Sequence, residues 1–291
     1  KSTLGTIITN LHKLYCITLG NEDMKKTLVR SLLYIVLLAG IVSFASCKDD
    51  DYGAIFLSLS SEADLDFTDS VLTLSPYSAG ATFHISGGDG MYVITNPDTT
   101  VIDYRYDGNV LTVIPVGLGS AELNITDRAW NRYTLQVTVA YPETTYTISR
   151  IEGVVQGAEL TQSQTLAIQR DIESAPLVQA GGKYVFTYTD KEAASGIVTI
   201  YPSASTSNML HGIFTQTEDT DQTQIHIVLT NGSTYEFILG MTSVLLPGYD
   251  DSRTETSPAR VLMQDVTETY RSLYPALEKA YCVQHIPGEA L

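Results

Sequence analysis

Short segments of alternating apolar and polar residues, each closed by turn residues, recur from Ile55 to Ala140 and constrain the fold more than any other feature of the chain. They read IFLSLS, VLTL, TFHIS, MYVIT, VIDYRY, VLTVIPV, AELNIT and YTLQVTV, with starts roughly eight to twelve residues apart, the spacing of an all-β sandwich or barrel. Side chains on a strand point alternately to its two faces. Leu135, Val137 and Val139, interleaved with Gln136 and Thr138, therefore predict one buried face and one wet face. Gly87-Gly88-Asp89-Gly90 and Asp107-Gly108-Asn109 read as tight turns, where glycine tolerates positive φ.

The series GGDGMYVIT, DGNVLTVIPVGLGSAELNITD and YTLQVTV resembles the bacterial immunoglobulin-like domains of surface lipoproteins and adhesins. The resemblance implies a β-sandwich over residues 55–140, in which Gly117 and Gly119 turn one strand into the next and Ala121, Leu123 and Ile125 face the core. It also implies a spacer that holds another domain away from a membrane, and it says little about ligand. One hairpin departs from the pattern: Asp127-Arg128-Ala129-Trp130-Asn131-Arg132 stands where such domains carry a short Gly/Asp turn. Trp130 is the only tryptophan in the chain. At a loop tip its ring, flanked by Arg128 and Asn131, is suited to stack on a sugar or a protein partner. The alternative is a ring folded back on the sandwich or plugging the junction with the next domain.

Residues 141–144, Tyr-Pro-Glu-Thr, read as a linker, and residues 145–291 change texture. A helix is expected over Leu160–Ser174, ending before Pro176. Strands follow: GKYVFTYTD, SGIVTIYP, MLHGIFTQT, TQIHIVLT and STYEFILGM. Asn231-Gly232 between two alternating runs predicts a type I′ hairpin. Val261, Val266, Tyr270 and Leu273 recur at roughly helical spacing, so Ser257–Tyr281 is expected to be helical, divided at Pro275. The expected fold class is mainly β: an immunoglobulin-like sandwich followed by an α+β domain whose helices cover an antiparallel sheet. Alternation places Tyr184, Phe186 and Tyr188 on one face. That strip predicts either a carbohydrate platform, with Tyr184 and Tyr188 as contacts, or the seat of a helix.

The beginning of the chain speaks of location. Met24-Lys25-Lys26 and Arg30 precede an apolar run, LLYIVLLAGIVSFAS, that ends at Cys47. A basic segment, an apolar stretch and small residues before the cleavage point make a secretory signal over residues 24–46, shorter than the ~20 residues of a spanning helix. Cleavage before a cysteine resembles the lipobox of bacterial lipoproteins, which implies acyl chains on Cys47 and outer-membrane lipid as a partner. Lys48, Asp49, Asp50 and Asp51 resemble the acidic export signal of Bacteroidota lipoproteins, which implies an acidic tether at 47–54 and exposure at the cell surface. Residues 1–23 read as an upstream leader, because Met24 makes a better start; the alternative is a genuine extension before a membrane span. Asp69-Ser70-Val71 and Asp98-Thr99-Thr100 resemble the O-glycosylation acceptor of exported Bacteroidota proteins, which marks Ser70 and Thr99.

Composition narrows the partners. Beyond residue 46 there remain 12 basic and 31 acidic side chains, a net charge of −19. So acidic a surface repels phosphate backbones, and no nucleic-acid partner is expected. Of three cysteines, Cys16 precedes the signal, Cys47 is assigned to lipid and Cys282 is left alone, read as a packed thiol rather than a nucleophile. His84, His211, His226 and His285 have no zinc spacing, so no metal is expected. No Walker loop, nucleophile elbow or dinucleotide fingerprint is present, so neither a cofactor nor a catalytic residue is assigned. Asp250-Asp251 and the acidic run from Glu218 to Asp221 read as solvated loops, with adventitious calcium binding as the lesser alternative. The expectation is a surface lipoprotein that binds a glycan or a surface protein. A spacer subunit of an outer-membrane assembly is the second reading, and an enzyme acting on polysaccharide or peptide the third.

Overall fold

The computed structural model describes residues 53–60, 65–192, 194–205, 207–247 and 260–287. The leader at 1–23, the signal at 24–46, Cys47, Lys48–Asp51 and the Asp250-Asp251 pair lie outside them. Every described element lies in one compact unit, Ala54–Leu291. That unit is mainly β. Among the described residues no helix is long and apolar enough to cross a membrane.

Its first lobe has two sheets around one core. Strands β1 (Phe56–Leu59), β4 (Ala81–Ser86), β7 (Val110–Pro115) and β6 (Ile102–Asp107) form one sheet in that order. Strands β2 (Asp66–Thr68), β3 (Val71–Leu74), β9 (Arg132–Val139), β8 (Gly119–Asp127) and β5 (Tyr92–Thr95) form the other. All pairings are antiparallel except β3 with β9. Phe83, Ile102, Leu111 and Val113 from one sheet meet Leu72, Leu74, Leu123, Ile125, Leu135 and Val137 from the other, all buried. Alternation along β8 and β9 follows the sequence pattern, with Ala121, Leu123 and Ile125 inward and Gln136 exposed.

The second lobe is a single antiparallel sheet: β10 (Glu143–Thr147), β12 (Lys183–Asp190), β13 (Ser195–Tyr201), β14 (Leu210–Asp219), β15 (Gln222–Leu229), β16 (Thr234–Met241), β17 (Arg260–Asp265), β18 (Lys279–Ile286) and β11 (Arg150–Gln156). Its two edges, β10 and β11, are consecutive in the chain, separated only by Ile148 and Ser149. The Ile148 N–H donates to the Gly182 carbonyl at 2.9 Å, continuing the ladder toward β12. The Ser149 N–H donates to the His285 carbonyl at 2.8 Å, continuing the ladder toward β18. One bent strand thus serves both edges, and the sheet closes into a barrel. Glu143 and Thr144, read as linker, begin that strand.

Closure is also visible in the interior. From β12, Tyr184 packs edge-on against Phe237 of β16 at 5.6 Å, and its hydroxyl donates to Gln284 Oε1 of β18 at 3.0 Å. Phe186 meets Phe214 of β14 at 4.9 Å. None of these strands neighbours β12 in the sheet, so the side chains meet across the barrel. With about eight strands, a barrel has an interior just wide enough to be filled by side chains, and Tyr184, Phe186, Phe214 and Phe237 fill this one. Deleting the Tyr184 hydroxyl would leave the wholly buried Gln284 amide without its donor. The Tyr184→Phe variant is expected to lose about 1–2 kcal/mol of stability, measured by denaturant unfolding, because a stranded buried acceptor costs more than a hydrogen bond contributes.

Three expectations are corrected. Of the expected helix Ser257–Tyr281, the described residues from 260 on are not one long helix: they are β17, the five-residue α3 (Thr267–Arg271) and the start of β18. Val261, Leu262 and Met263 are all buried because this strand is covered on both faces, Leu262 inward and its neighbours beside Leu245 and Leu246 outside. Leu273, placed on the expected helix face, is exposed. The layered arrangement of helices over a sheet is likewise replaced by the barrel; α2 is a single turn, Thr242–Leu245. The hairpin at Asn231-Gly232 is not type I′, which needs two positive φ values. Only Gly232 has one, at +86°, and Leu229 bonds Ser233 across a three-residue loop.

Helix α1 (Gln162–Ser174) lies close to the expected span. Thr161 and Gln164 form a capping box, each side chain bonding the other's backbone N–H. Its buried Ile168 and Ile172 pack on Leu277, Ala280 and Cys282. Ala280 and Cys282 alternate in phase with the inward Gln284, so the helix seats against the inner face at that end of the barrel.

Candidate functional site

The Trp130 hairpin, between β8 and β9, is the most exposed aromatic feature of the described residues. Asp127 and Asn131 close a three-residue loop, with the Asp127 N–H donating to the Asn131 carbonyl at 3.1 Å and the Trp130 N–H to the Asp127 carbonyl at 3.2 Å. The pattern repeats that of Leu229–Ser233, and Trp130 takes the position that Gly232 holds there. Its φ is +67°, and its side chain leaves the residue 86 % exposed. A left-handed conformation costs a non-glycine residue about 1–2 kcal/mol. Trp130 therefore bears backbone strain and contributes almost no burial to the fold.

The loop is nonetheless held firmly. The Asp127 carboxylate is buried, accepting from the backbone N–H of Asn131 at 2.8 Å, from Asn131 Nδ2 at 2.8 Å and from the Asp89 N–H at 3.0 Å. Gly88 permits this: a Cβ there would sit 2.5 Å from Asp127 Oδ2. The Gly87–Gly90 turn is thus a cradle for an internal carboxylate. Burial pushes the Asp127 pKa up, but the hydrogen bonds from Asn131, Asp89 and Ala129 outweigh it and hold the group below the usual carboxylate value. The unfolded chain then binds the proton more tightly, so this stabilisation is full above the ordinary carboxylate pKa and is lost as pH falls through the lower folded value. Protection factors at the amides of Asp89 and Asn131, corrected for the intrinsic pH dependence of exchange, are expected to hold at pH 5 and to fall below about pH 4. Arg128 reaches Asp89 at 3.3 Å, its guanidinium largely in solvent and the Asp89 side chain nearly covered.

The other expected contacts are not on this surface. Tyr184 is wholly buried, as is Phe186, because the opposite wall of the barrel covers their face. Tyr184 is therefore corrected from a ligand contact to a core residue. Tyr188, one turn of the alternation nearer the barrel mouth, is half-buried, with its hydroxyl donating to Gln216 Oε1 at 3.0 Å. It does not join Trp130 in one site. Thr99 is exposed in a turn, whereas Ser70 is half-buried in a left-handed turn whose carbonyl accepts the Gln136 N–H. Cys282 is buried, and desolvation pushes its thiol up to about 11, which suits packing and not nucleophilic attack.

Among the described residues no group of three or more His, Cys, Asp or Glu side chains is placed to hold a metal ion. The bracing role of Asp127 went unread in the sequence, although an aspartate four residues before an asparagine, with a single hairpin loop between, is a local signal that could have shown it. No protein-family model matches the chain, and no curated protein is similar to it in sequence.

Proposed function

We propose that this protein is a lipid-anchored surface lipoprotein of the outer membrane, acylated at Cys47, that binds a glycan or a surface protein through the Trp130 hairpin. In this reading the first lobe is an immunoglobulin-like sandwich, and the barrel is the head that it carries. Two sheets enclosing one core support the sandwich assignment. The observation that carries the function is Trp130 itself: a large aromatic kept in solvent, in a backbone conformation that glycine would adopt without strain, on a loop braced by a buried carboxylate. Strain retained at an exposed position is characteristic of binding sites. An exposed, rigid indole also loses little conformational entropy when a partner covers it. Glycans on Ser70 and Thr99 belong to the same proposal.

The test is a glycan array probed with the full chain in detergent, beside Trp130→Ala and Trp130→Gly. Binding is expected to fall at least tenfold in both variants. Trp130→Gly is expected to unfold at the same denaturant concentration or a higher one, with a gain of up to about 1 kcal/mol from relieved strain. A clear loss of stability in Trp130→Gly would show that the indole supports the fold, and unchanged binding would remove the hairpin from the site. One observation favours the spacer reading: Tyr184 and Phe186, the only strip of aromatic residues expected on an open sheet, are buried. Absence of binding to every glycan would turn the search toward protein partners.

A further inference from the structure

The mouth of the barrel opposite α1 forms a cleft with the first lobe, about 480 Å³ in volume. That size lies within the range of roughly 300–1,000 Å³ typical of small-molecule sites, and barrel mouths are a preferred place for them. The geometry points to a saccharide-binding site in this cleft, separate from the Trp130 hairpin and not resting on it.

Three features define the occupant. Two rings line it, Tyr77 from the first lobe and Tyr188 of the barrel, and Tyr77 also meets Tyr141 with ring centroids 6.0 Å apart. Both lining tyrosines are fixed. Tyr188 is wedged at right angles against Phe214 at 5.2 Å, and its carbonyl accepts the Tyr77 hydroxyl at 3.4 Å. Such faces suit the C–H side of a pyranose ring.

The second feature is Gln216. Its Oε1 accepts from Tyr188, while its buried Nε2 meets no acceptor among the described residues. Exchanging the amide's oxygen and nitrogen would move this unmet need to the oxygen without removing it. Gln216 is half-buried and lines the cleft; a wholly apolar occupant would leave its nitrogen unpaired, whereas hydroxyl groups, which both donate and accept, suit an amide.

The third feature is charge. Lys191 and Glu218 both line the cleft. Asp190 adds a second anion acting on Tyr77, so the local charge disfavours an anionic ligand, while Lys191 and Glu218 are good hydrogen-bond partners for sugar hydroxyls. Two aromatic rings, an unsatisfied amide and a local charge that disfavours anions together point to a short neutral saccharide.

The experiment uses the full chain in detergent with a panel of free neutral di- to tetrasaccharides, read by hydrogen exchange and by titration calorimetry. A binder is expected to slow exchange at residues 75–78, 188–192 and 216–218. Lys191→Ala and Gln216→Leu are each expected to weaken binding about tenfold, whereas Leu273→Ala, exposed just after α3 at the other end of the barrel, leaves it unchanged. Lys191 is exposed, so its variant decides the matter even if Gln216→Leu melts early. Protection confined to residues 127–132, an unchanged affinity in Lys191→Ala, or no protection from any saccharide of the panel would each overturn the proposal.

Discussion

Replacing Phe186 by alanine is expected to cost about 3–5 kcal/mol, the range for deleting a fully buried phenylalanine, and to unfold the barrel at a markedly lower denaturant concentration. The ring sits where several walls of the barrel meet. It packs on Tyr146 at 5.7 Å, Tyr184 at 6.1 Å and Phe214 at 4.9 Å, and it has no solvent exposure. These partners belong to β10, β12 and β14, so the cavity left behind cannot collapse without moving strands that are tied into a closed ladder. The alternative seat for this ring, beneath a helix on an open sheet, predicts a smaller loss, because a helix can settle inward. Urea unfolding, monitored by far-ultraviolet circular dichroism, checks the prediction. A loss below about 1 kcal/mol would be incompatible with a packed barrel interior.

The second large effect is expected at Gly153. A Cβ on this residue would lie 2.8 Å from the carbonyl oxygen and 2.9 Å from the Cα of Gln169, in the middle of α1. Both are backbone atoms of a capped helix, so no side chain can swing aside to make room. Gly153→Ala adds one methyl group, yet it must push the helix away from β11 and open the contact of Ile168 and Ile172 with Ala280 and Cys282. The expected cost is about 3 kcal/mol, the upper part of the usual overpacking range. Hydrogen exchange should show it as faster exchange over Gln162–Ser174, with the amides of β8 and β9 in the first lobe unchanged. Uniform acceleration through both lobes, or none in α1, would contradict the docking of the helix at this end of the barrel.

Much of the local structure was legible because its causes are local. Alternation along Leu135–Val139 placed the inward residues of β9, and Pro176 marked where α1 ends. The strands of KYVFTYTD, SGIVTIYP and TQIHIVLT were found by the same reasoning. Failures arose where two causes produce one pattern. The buried Val261-Leu262-Met263 of β17 has no alternation to display, because both of its faces are covered, and neighbouring apolar residues then mimic a helical period. Asn231-Gly232 suggested a two-residue turn, but which residue pairs across a hairpin depends on the register of the flanking ladder, and Leu229 pairs with Ser233.

For the candidate site the division is sharper. Sequence alone determined that Trp130 stands at a hairpin tip in place of a glycine-type turn, that Tyr184, Phe186 and Tyr188 share a face, and that Cys47 follows a signal-like segment. Whether a shared face is wet or dry is a property of what lies opposite, and for Tyr184 the opposite wall comes from Phe237 and Gln284, 53 and 100 residues further along the chain. Only the tertiary structure decided that, through the two backbone bonds at Ile148 and Ser149 that tie the bent strand of β10 and β11 toward β12 on one side and β18 on the other. The exposure of Trp130, the carboxylate that braces it and the cleft beside Gln216 were settled in the same way. Each depends on contacts between segments distant in sequence, whereas periodicity and turn chemistry record only what a residue's near neighbours require.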